Sequence, residues 1–209
     1  MRRTPAFLLE DEREVRRLVT ENPWATIVSA PASGLVASHY PFLIDDHADG
    51  LALLTHVGRP DETLHELGRH EVLVIVQGAH GYISPGWYGN EEFIPTWNHV
   101  TAHLYGTPEI LSDEENLRVL GELVDRFEQG MPEPRSLAID ADYAARIARG
   151  TVGLRIPITR IDARLKLSQN KPAEVAGRII AALEGEGPYA DPALAREMRR
   201  VHGNPDAAL

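Results

Sequence analysis

The spacing of hydrophobic and polar residues along this chain changes from the period of a helix to that of a strand and back. These changes predict an α+β protein. A first helix is predicted from Asp11 to Thr20, where Asn22-Pro23 follows. Turn residues then separate three β-branched or apolar runs, a pattern typical of an antiparallel meander. These runs are Trp24 to Ala30, Gly34 to Ile44 and Leu51 to His56. The nearly continuous apolar run from Glu71 to Gln77 predicts a strand buried on both faces.

The second half of the chain repeats this mixture of strands and helices. Apolar and polar residues alternate from Asn98 to Ile110 and from Val152 to Ile158, as they do in half-buried strands. Capping residues, Pro at first turns and Gly at ends predict the remaining helices. These are Pro60 to about Arg69, Ser112 to about Gln129, Asp140 to Arg149, Pro172 to Glu184 and Pro192 to His202.

Composition narrows the classes of function. The chain has 209 residues and is 43% hydrophobic, which is enough for one sizeable core. Its 31 acidic and 21 basic residues give a net charge of -10, which disfavours general nucleic-acid binding. The absence of cysteine excludes disulfides, thiolate catalysis and Cys-ligated metals. No signal peptide or membrane-spanning run is apparent, so we expect a cytoplasmic protein with no membrane contact.

Aromatic residues concentrate in two neighbouring segments, Gly78 to Tyr88 and Ile94 to Asn98. We interpret both segments as loops that carry Tyr82, Tyr88 and Trp97. Aromatic walls with Gly between them suit a planar, partly apolar ligand, because they give stacking area and close backbone approach. The alternative is a corner of the fold packed with aromatic side chains.

A polar segment joins the last predicted strand to the helix that begins at Pro172. Beside free amides at a helix N-terminus, its side chains predict an anion cradle for a flavin phosphate or haem propionates. The alternative is a helix cap with solvated lysines. The side chains concerned are Lys166, Ser168, Gln169, Asn170 and Lys171.

Three of the nine histidines are candidates for a site. His65 lies one position off the Leu64/Leu67 stripe of its predicted helix, so we expect it to project sideways, within reach of a cofactor or a second subunit. His39 and His56 lie on adjacent predicted strands and are expected to face one cavity. A structural, hydrogen-bonded histidine is the alternative for both.

Several stretches together resemble the PaiB-type family, whose members are commonly labelled FMN-binding negative transcriptional regulators. The resemblance covers about residues 5 to 200, and it implies an antiparallel split β-barrel of the FMN-binding type with peripheral helices. It also implies a homodimer with cofactor sites at the interface. We expect a split-barrel domain at 1–170 and a helical extension at 171–209. The matching stretches are Pro41 to Leu43, Thr55 to Arg59, Val76 to Tyr88, Ile94 to Asn98, Leu104 to Gly106 and Lys166 to Pro172.

One similar branch, the piperazate synthases, uses haem b to cyclise N5-hydroxy-L-ornithine to L-piperazic acid with formation of an N–N bond. His65 stands about where many PaiB-type sequences have tryptophan, so this resemblance implies an axial imidazole for haem iron. The leading prediction is therefore a haem enzyme with an amino-acid substrate. Its expected proton carriers are Tyr82, Tyr88, His39 and Lys166, and its expected cofactor-binding residues are His65, His56, Arg59, Trp97, Ser168, Gln169, Asn170 and Lys171.

Two alternatives remain open. The first is an FMN-binding oxidoreductase, in which Thr55, Arg59, Lys166, Ser168 and Gln169 hold the phosphate and ring edge and Trp97 or Tyr82 lies near the ring. The second is a transcriptional regulator without catalysis. Only the basic C-terminal helix, with Arg196, Arg199 and Arg200, favours that function.

Overall fold

The structure, a computed structural model, describes residues 4–89 and 94–203. These residues fold as two compact units. The first comprises described residues within Met1–Leu18, Gln77–Ala102 and Asp162–Leu209, and the second comprises Val19–Val76 and His103–Ile161. The predicted ranges 1–170 and 171–209 do not coincide with these units and extend beyond the described residues at both ends. They stay a prediction about domains.

Runs of strands that pair antiparallel are separated by helices, which confirms the α+β class. The helices in the described residues are α1 (Glu12–Glu21), α2 (Arg59–His65), α3 (Asp113–Glu128), α4 (Ala141–Ala148), α5 (Ala173–Glu184) and α6 (Pro192–Gly203). The strands there are β1 (Trp24–Ser29), β2 (Val36–Pro41), β3 (Leu43–Ile44), β4 (Ala52–Gly58), β5 (Val72–Ile83), β6 (Thr96–Gly106), β7 (Glu109–Ile110), β8 (Thr151–Pro157) and β9 (Arg160–Lys166).

In the first unit, parts of β5, β6 and β9 lie side by side in that order. Helices α5 and α6 pack on each other, and each contributes fully buried apolar side chains, including Ile179 and Leu183 from α5 and Leu194 and Met198 from α6. One face of this sheet is half-exposed and carries Tyr82 and Trp97.

The second unit contains an antiparallel sheet in the order β3-β4-β8-β7. Helix α3 covers it, because Val119 and Leu123 form one buried cluster with Leu54 of β4. Strand β1 pairs antiparallel with β2 and with the first part of β5. Helix α3 begins with the predicted cap: the Ser112 hydroxyl accepts from the Glu115 amide at 3.3 Å and the Glu115 carboxylate accepts from the Ser112 amide at 3.2 Å.

Three strand predictions need correction. Strand β5 continues past Gln77 to Ile83, so the segment from Gly78 is a strand rather than a loop, and Trp97 likewise lies on β6. The start of β5 is buried on one face only, with Val72, Val74 and Val76 inward. Strand β9 was not predicted, because its charged residues hide the apolar period.

No helix within residues 4–89 and 94–203 is both long and apolar enough to cross a membrane.

Candidate functional site

The first unit carries an aromatic face, which we define as His80 and Tyr82 of β5, Trp97 of β6, and Tyr189 before α6. The rings of His80 and Trp97 stack with centroids 6.5 Å apart, and Tyr82 meets Trp97 edge-on at 6.3 Å. Tyr189 lies 4.9 Å from Tyr82. Trp97 remains 56% exposed, so this face is open to a planar ligand.

The two-residue period of strands explains how these side chains meet. Residues i and i+2 of a strand project to the same side, which places His80 with Tyr82 on β5 and Trp97 with His99 on β6. Because β5 and β6 are neighbours in the sheet, the two pairs lie next to each other.

Lys166, at the end of β9, lies at the edge of the aromatic face. Its ammonium donates to the main-chain oxygen of Trp97 at 2.6 Å and to the hydroxyl of Thr96. Burial lowers the pKa of Lys166, because the charged form loses solvation. Within the described part of the chain, neither its hydrogen bonds nor its ion pairs involve a carboxylate.

His99 adds a further basic group to this edge. Its Nδ1 lies 3.2 Å from the Thr101 hydroxyl. Burial lowers the pKa of His99, and Coulombic interactions with Lys166, Arg164 and His80 lower it further. The lowered pKa favours the neutral imidazole, so His99 adds a hydrogen-bonding group to this edge, whereas Lys166 supplies charge.

The predicted anion cradle faces inward in part. The Ser168 hydroxyl is buried and contacts the side-chain amide of Asn98 at 2.9 Å. Gln169 accepts from the Leu167 amide at 2.7 Å and donates to the Leu165 carbonyl. These polar groups stabilise their own turn, in which Ser168 has a φ of 64°. Asn170 is exposed at the tip of the turn.

Tyr88 is a core residue of the first unit. It is 1% exposed, and its hydroxyl donates to the Ile94 carbonyl at 3.2 Å. The Lys171 ammonium lies 4.6 Å from its ring centroid, and Arg178 donates to its carbonyl at 2.9 Å. The predicted proton carrier Tyr88 is therefore enclosed, whereas Tyr82 is accessible on the aromatic face.

His65 is the centre of a hydrogen-bond chain in the second unit. Its Nδ1 lies 2.7 Å from the Ser29 hydroxyl, and its Nε2 lies 3.0 Å from the Ser38 hydroxyl. The residue is 1% exposed. Helix α2 ends at His65, and Glu66 turns back in the left-handed conformation. The side chain is thus enclosed rather than projecting, and its reach toward a ligand stays a prediction.

The hydrogen-bond chain continues from the Ser38 hydroxyl to the Asp61 carboxylate, which also accepts a hydrogen bond from the Tyr40 hydroxyl at 2.6 Å. Hydrogen bonds from Tyr40 and Ser38 lower the pKa of Asp61. Burial lowers the pKa of His65, so the neutral imidazole is favoured. An Nε2-protonated ring satisfies every group: Ser29 donates to Nδ1, Nε2 donates to Ser38, and Ser38 donates to Asp61.

The other predicted residues of the second unit have separate surroundings. His39 is exposed and stacks on Trp24, with centroids 6.4 Å apart. His56 is half-buried, and its Nδ1 has no hydrogen-bond partner among the described residues. Thr55 is fully buried and donates to the Pro41 carbonyl at 2.7 Å.

Arg59 lines a cleft together with Glu62, Asp113, Asn116 and Thr151. Its Nε donates to the Arg149 carbonyl at 2.7 Å, and its Nη2 lies 3.9 Å from Asp113. The two carboxylates make this cleft unfavourable for a phosphate.

The predicted site residues thus fall into two groups, one in each unit. Tyr82, Trp97 and Lys166 come together on the first unit, whereas His39, His56, Arg59 and His65 lie in the second. On the first unit, sequence reasoning missed the contributions of His80, His99, Thr96 and Tyr189. The two-residue period of β5 and β6 could have placed His80 beside Tyr82 and His99 beside Trp97. No pattern in the sequence indicates that Tyr189 lies near them. Within the described residues, no three His, Asp or Glu side chains are grouped so as to hold a metal ion.

The described residues form two antiparallel sheets with peripheral helices, and one face of the first unit carries aromatic side chains near Lys166. The chain belongs to the family described as putative FMN-binding domain, whose model matches residues 1–160. This membership confirms the predicted family and the split-barrel fold class.

Relatives at the sequence level come from bacteria and fungi. The chain is 29% identical over 183 residues to the protease synthase and sporulation protein PAI 2 of Bacillus subtilis, covering 86% of this chain and 87% of that protein. It is 34% identical over 111 residues to the uncharacterized protein YKL070W of Saccharomyces cerevisiae, covering 49% and 66%.

Solved structures share the fold at lower identity. The FAD and heme binding protein from Mycobacterium smegmatis has a TM-score of 0.59 and 19% identity, covering 87% of this chain and 80% of that chain. The flavocytochrome Anf3 from Azotobacter vinelandii has a TM-score of 0.62 and 13% identity, covering 85% and 78%.

Proposed function

We propose that this protein binds FMN and acts as a flavin-dependent oxidoreductase, with the isoalloxazine ring on the aromatic face. One observation carries the proposal. Trp97 contacts the rings of His80 and Tyr82 and is still 56% exposed, and its main-chain oxygen accepts a hydrogen bond from Lys166, which has no carboxylate partner among the described residues. Family membership supports the same cofactor.

The residues of the aromatic face fit the chemistry of a flavin. Its planar ring system stacks on aromatic side chains, and its polar edge accepts hydrogen bonds from cationic or hydroxyl groups. Trp97 and Tyr82 would hold the ring, and Lys166 would meet its polar edge. A bound flavin supplies hydride and electron transfer, and the Tyr82 hydroxyl and the His80 imidazole are the accessible groups on this face that carry protons.

We further propose that the protein is a homodimer with the cofactor at its interface. In the first unit, Ile94, Trp97 and Tyr189 are exposed apolar or aromatic side chains. Exposed apolar groups of this size mark interaction surfaces. A second subunit would shield the flavin from water.

A matched pair of tryptophan variants tests the flavin site. Trp97→Ala should weaken FMN binding roughly tenfold, because a ring loses its stacking partner. Trp24→Ala should leave the affinity unchanged, since Trp24 is 64% exposed and stacks on His39 in the second unit. Titration followed by quenching of flavin fluorescence measures both. Equal losses in the two variants would contradict the proposed site.

A second candidate is haem bound through His65, in a haem-dependent cyclase that forms the N–N bond of L-piperazic acid from N5-hydroxy-L-ornithine. The Ser29 hydroxyl at 2.7 Å from Nδ1 favours it, because a second-shell hydrogen bond of this kind orients an axial imidazole. Two similar solved structures add support, because one is named as an FAD and heme binding protein and the other as a flavocytochrome. Burial of His65 and its contact with Ser38 oppose it, since Nε2 would have to exchange that hydrogen bond. Haem reconstitution distinguishes this candidate: it requires a Soret band that His65→Ala abolishes.

A further inference from the structure

Lys166 is a half-buried cation whose described hydrogen-bond partners are all neutral. It contacts the Trp97 carbonyl and the Thr96 hydroxyl, and it is one of only two lysines in the chain. Partial burial of an ammonium costs solvation that a carboxylate partner usually offsets. In the described residues this compensation is missing, which leaves the charge available to a ligand.

One further cation lies near Lys166. Arg164 is close enough to act on the same edge of the sheet, whereas the lowered pKa of His99 favours its neutral form. The Arg164 guanidinium is paired with Asp162 at 2.6 Å, so it contributes less than an unpaired cation would. A positive edge of this kind favours negative charge, although the chain as a whole carries a net charge of -10.

The position of the ammonium decides which part of a ligand it meets. Lys166 is bonded to the main-chain oxygen of Trp97 and to the hydroxyl of Thr96, so its ammonium lies at the start of β6, next to the residue that carries the indole. A ring that stacks on Trp97 and extends over this end of β6 would meet Lys166 with its edge.

We infer that Lys166 is the charge partner of the flavin ring and stabilises the reduced, anionic ring more than the oxidised, neutral ring. This inference rests on the proposed flavin binding. Reduced flavin carries a negative charge on its ring near neutral pH, whereas the oxidised ring carries none, so a cation at the ring edge discriminates between them. Lys166 therefore sets the relative affinity for the two redox states and with it the reduction potential of the bound flavin.

The test compares the affinities for oxidised and reduced flavin under anaerobic conditions. Lys166→Gln keeps a donor for the Trp97 carbonyl and removes the charge. It should reduce the preference for reduced FMN by a factor on the order of ten. Lys166→Arg should keep the preference, and Arg196→Gln, a control that removes an exposed positive charge of α6 in the same unit, should leave it unchanged. Circular dichroism checks that each variant is folded.

Using riboflavin beside FMN separates the ring from the phosphate. If Lys166 serves the ring, Lys166→Gln lowers the preference for the reduced form equally with both ligands. A loss confined to FMN would assign Lys166 to the phosphate and overturn the inference. If Lys166→Gln leaves the preference for reduced flavin unchanged while Trp97→Ala weakens binding, the inference about Lys166 is overturned and the proposed flavin site stands. If the wild-type protein binds neither FMN nor riboflavin, the proposed function is overturned as well.

Discussion

His56 shows how one partly buried group ties stability to pH. Its Nδ1 lacks a described hydrogen-bond partner, and burial lowers the pKa of the imidazole. The unfolded chain therefore takes up the proton before the folded chain does as the pH falls. The stabilising contribution is complete above the unfolded pKa of about 6.5 and is lost as the pH falls toward the folded value.

His56→Phe tests this linkage. The variant removes the titrating group and the unpaired Nδ1, so its free energy of unfolding at pH 7 should lie within about 1 kcal/mol of wild type. Between pH 7 and pH 5, the variant should lose less stability than wild type. Urea unfolding at several pH values measures both proteins, and the difference isolates His56 because all other titrating groups are shared. Equal pH dependence would contradict this account.

His65 marks the limit of what sequence predicts at the scale of a residue. The helical period locates it beside the apolar stripe, but its two serine partners are 36 and 27 residues away in sequence. Nothing in local spacing pairs Ser29 or Ser38 with it. The tertiary packing of α2 against β1 and β2 determines the environment of this side chain. Its role as an axial ligand stays a prediction.

At the scale of elements, Gly106 at the end of β6 allows a close approach of two strands. A methyl group at this position would lie 2.2 Å from the Pro157 carbonyl oxygen and 3.0 Å from the Ile156 side chain. Only glycine fits without movement of the main chain. This packing explains the glycine of the Leu104-Tyr105-Gly106 motif in structural terms.

A pair of glycine variants tests that packing. Gly106→Ala should lower the free energy of unfolding by about 1–3 kcal/mol, because the added methyl group overpacks the strand contact. Gly121→Ala should raise it by about 0.5–1 kcal/mol, since Gly121 lies inside α3 with no atom within 4 Å of the added group. Thermal unfolding reports both. A neutral Gly106→Ala variant would show that the strands are not packed as described.

Helices were easier to predict than strands in this chain. Start signals such as Ser112 with Glu115 are local, and the structure confirms them. Strand β9 escaped prediction because buried Arg164 occupies a position where an apolar residue is expected. The extension of β5 escaped because Gly78 and Gly81 resemble loop residues, and the Gly81 position lies close to Leu194. Long-range packing therefore decided the elements that carry the candidate site.

At the scale of the whole molecule, charge pairing bears on the regulatory alternative. Arg199 is paired with Glu184 at 2.6 Å, and Arg200 is paired with Glu14 at 2.9 Å. These arginines are engaged within the first unit, so the C-terminal helix presents less positive charge than its sequence indicates. Weak affinity for DNA stays our prediction.

The proposed dimer makes a separate prediction. Ile94→Asp should shift the protein toward monomer, because a charge would enter the apolar interface near Trp97. Leu35→Asp should leave the assembly unchanged, since Leu35 is 81% exposed just before β2 in the second unit. Sedimentation velocity distinguishes the two outcomes. A monomeric wild-type protein would contradict the dimer without affecting the proposed flavin site.

The central claim is that this protein binds FMN on the aromatic face. The most direct measurement is the absorption spectrum of the protein purified from cells supplied with both riboflavin and a haem precursor, followed by mass analysis of the released cofactor. We predict a flavin spectrum and FMN as the released compound, both diminished in Trp97→Ala and retained in His65→Ala. A single Soret band that disappears in His65→Ala would contradict the claim and establish haem as the cofactor.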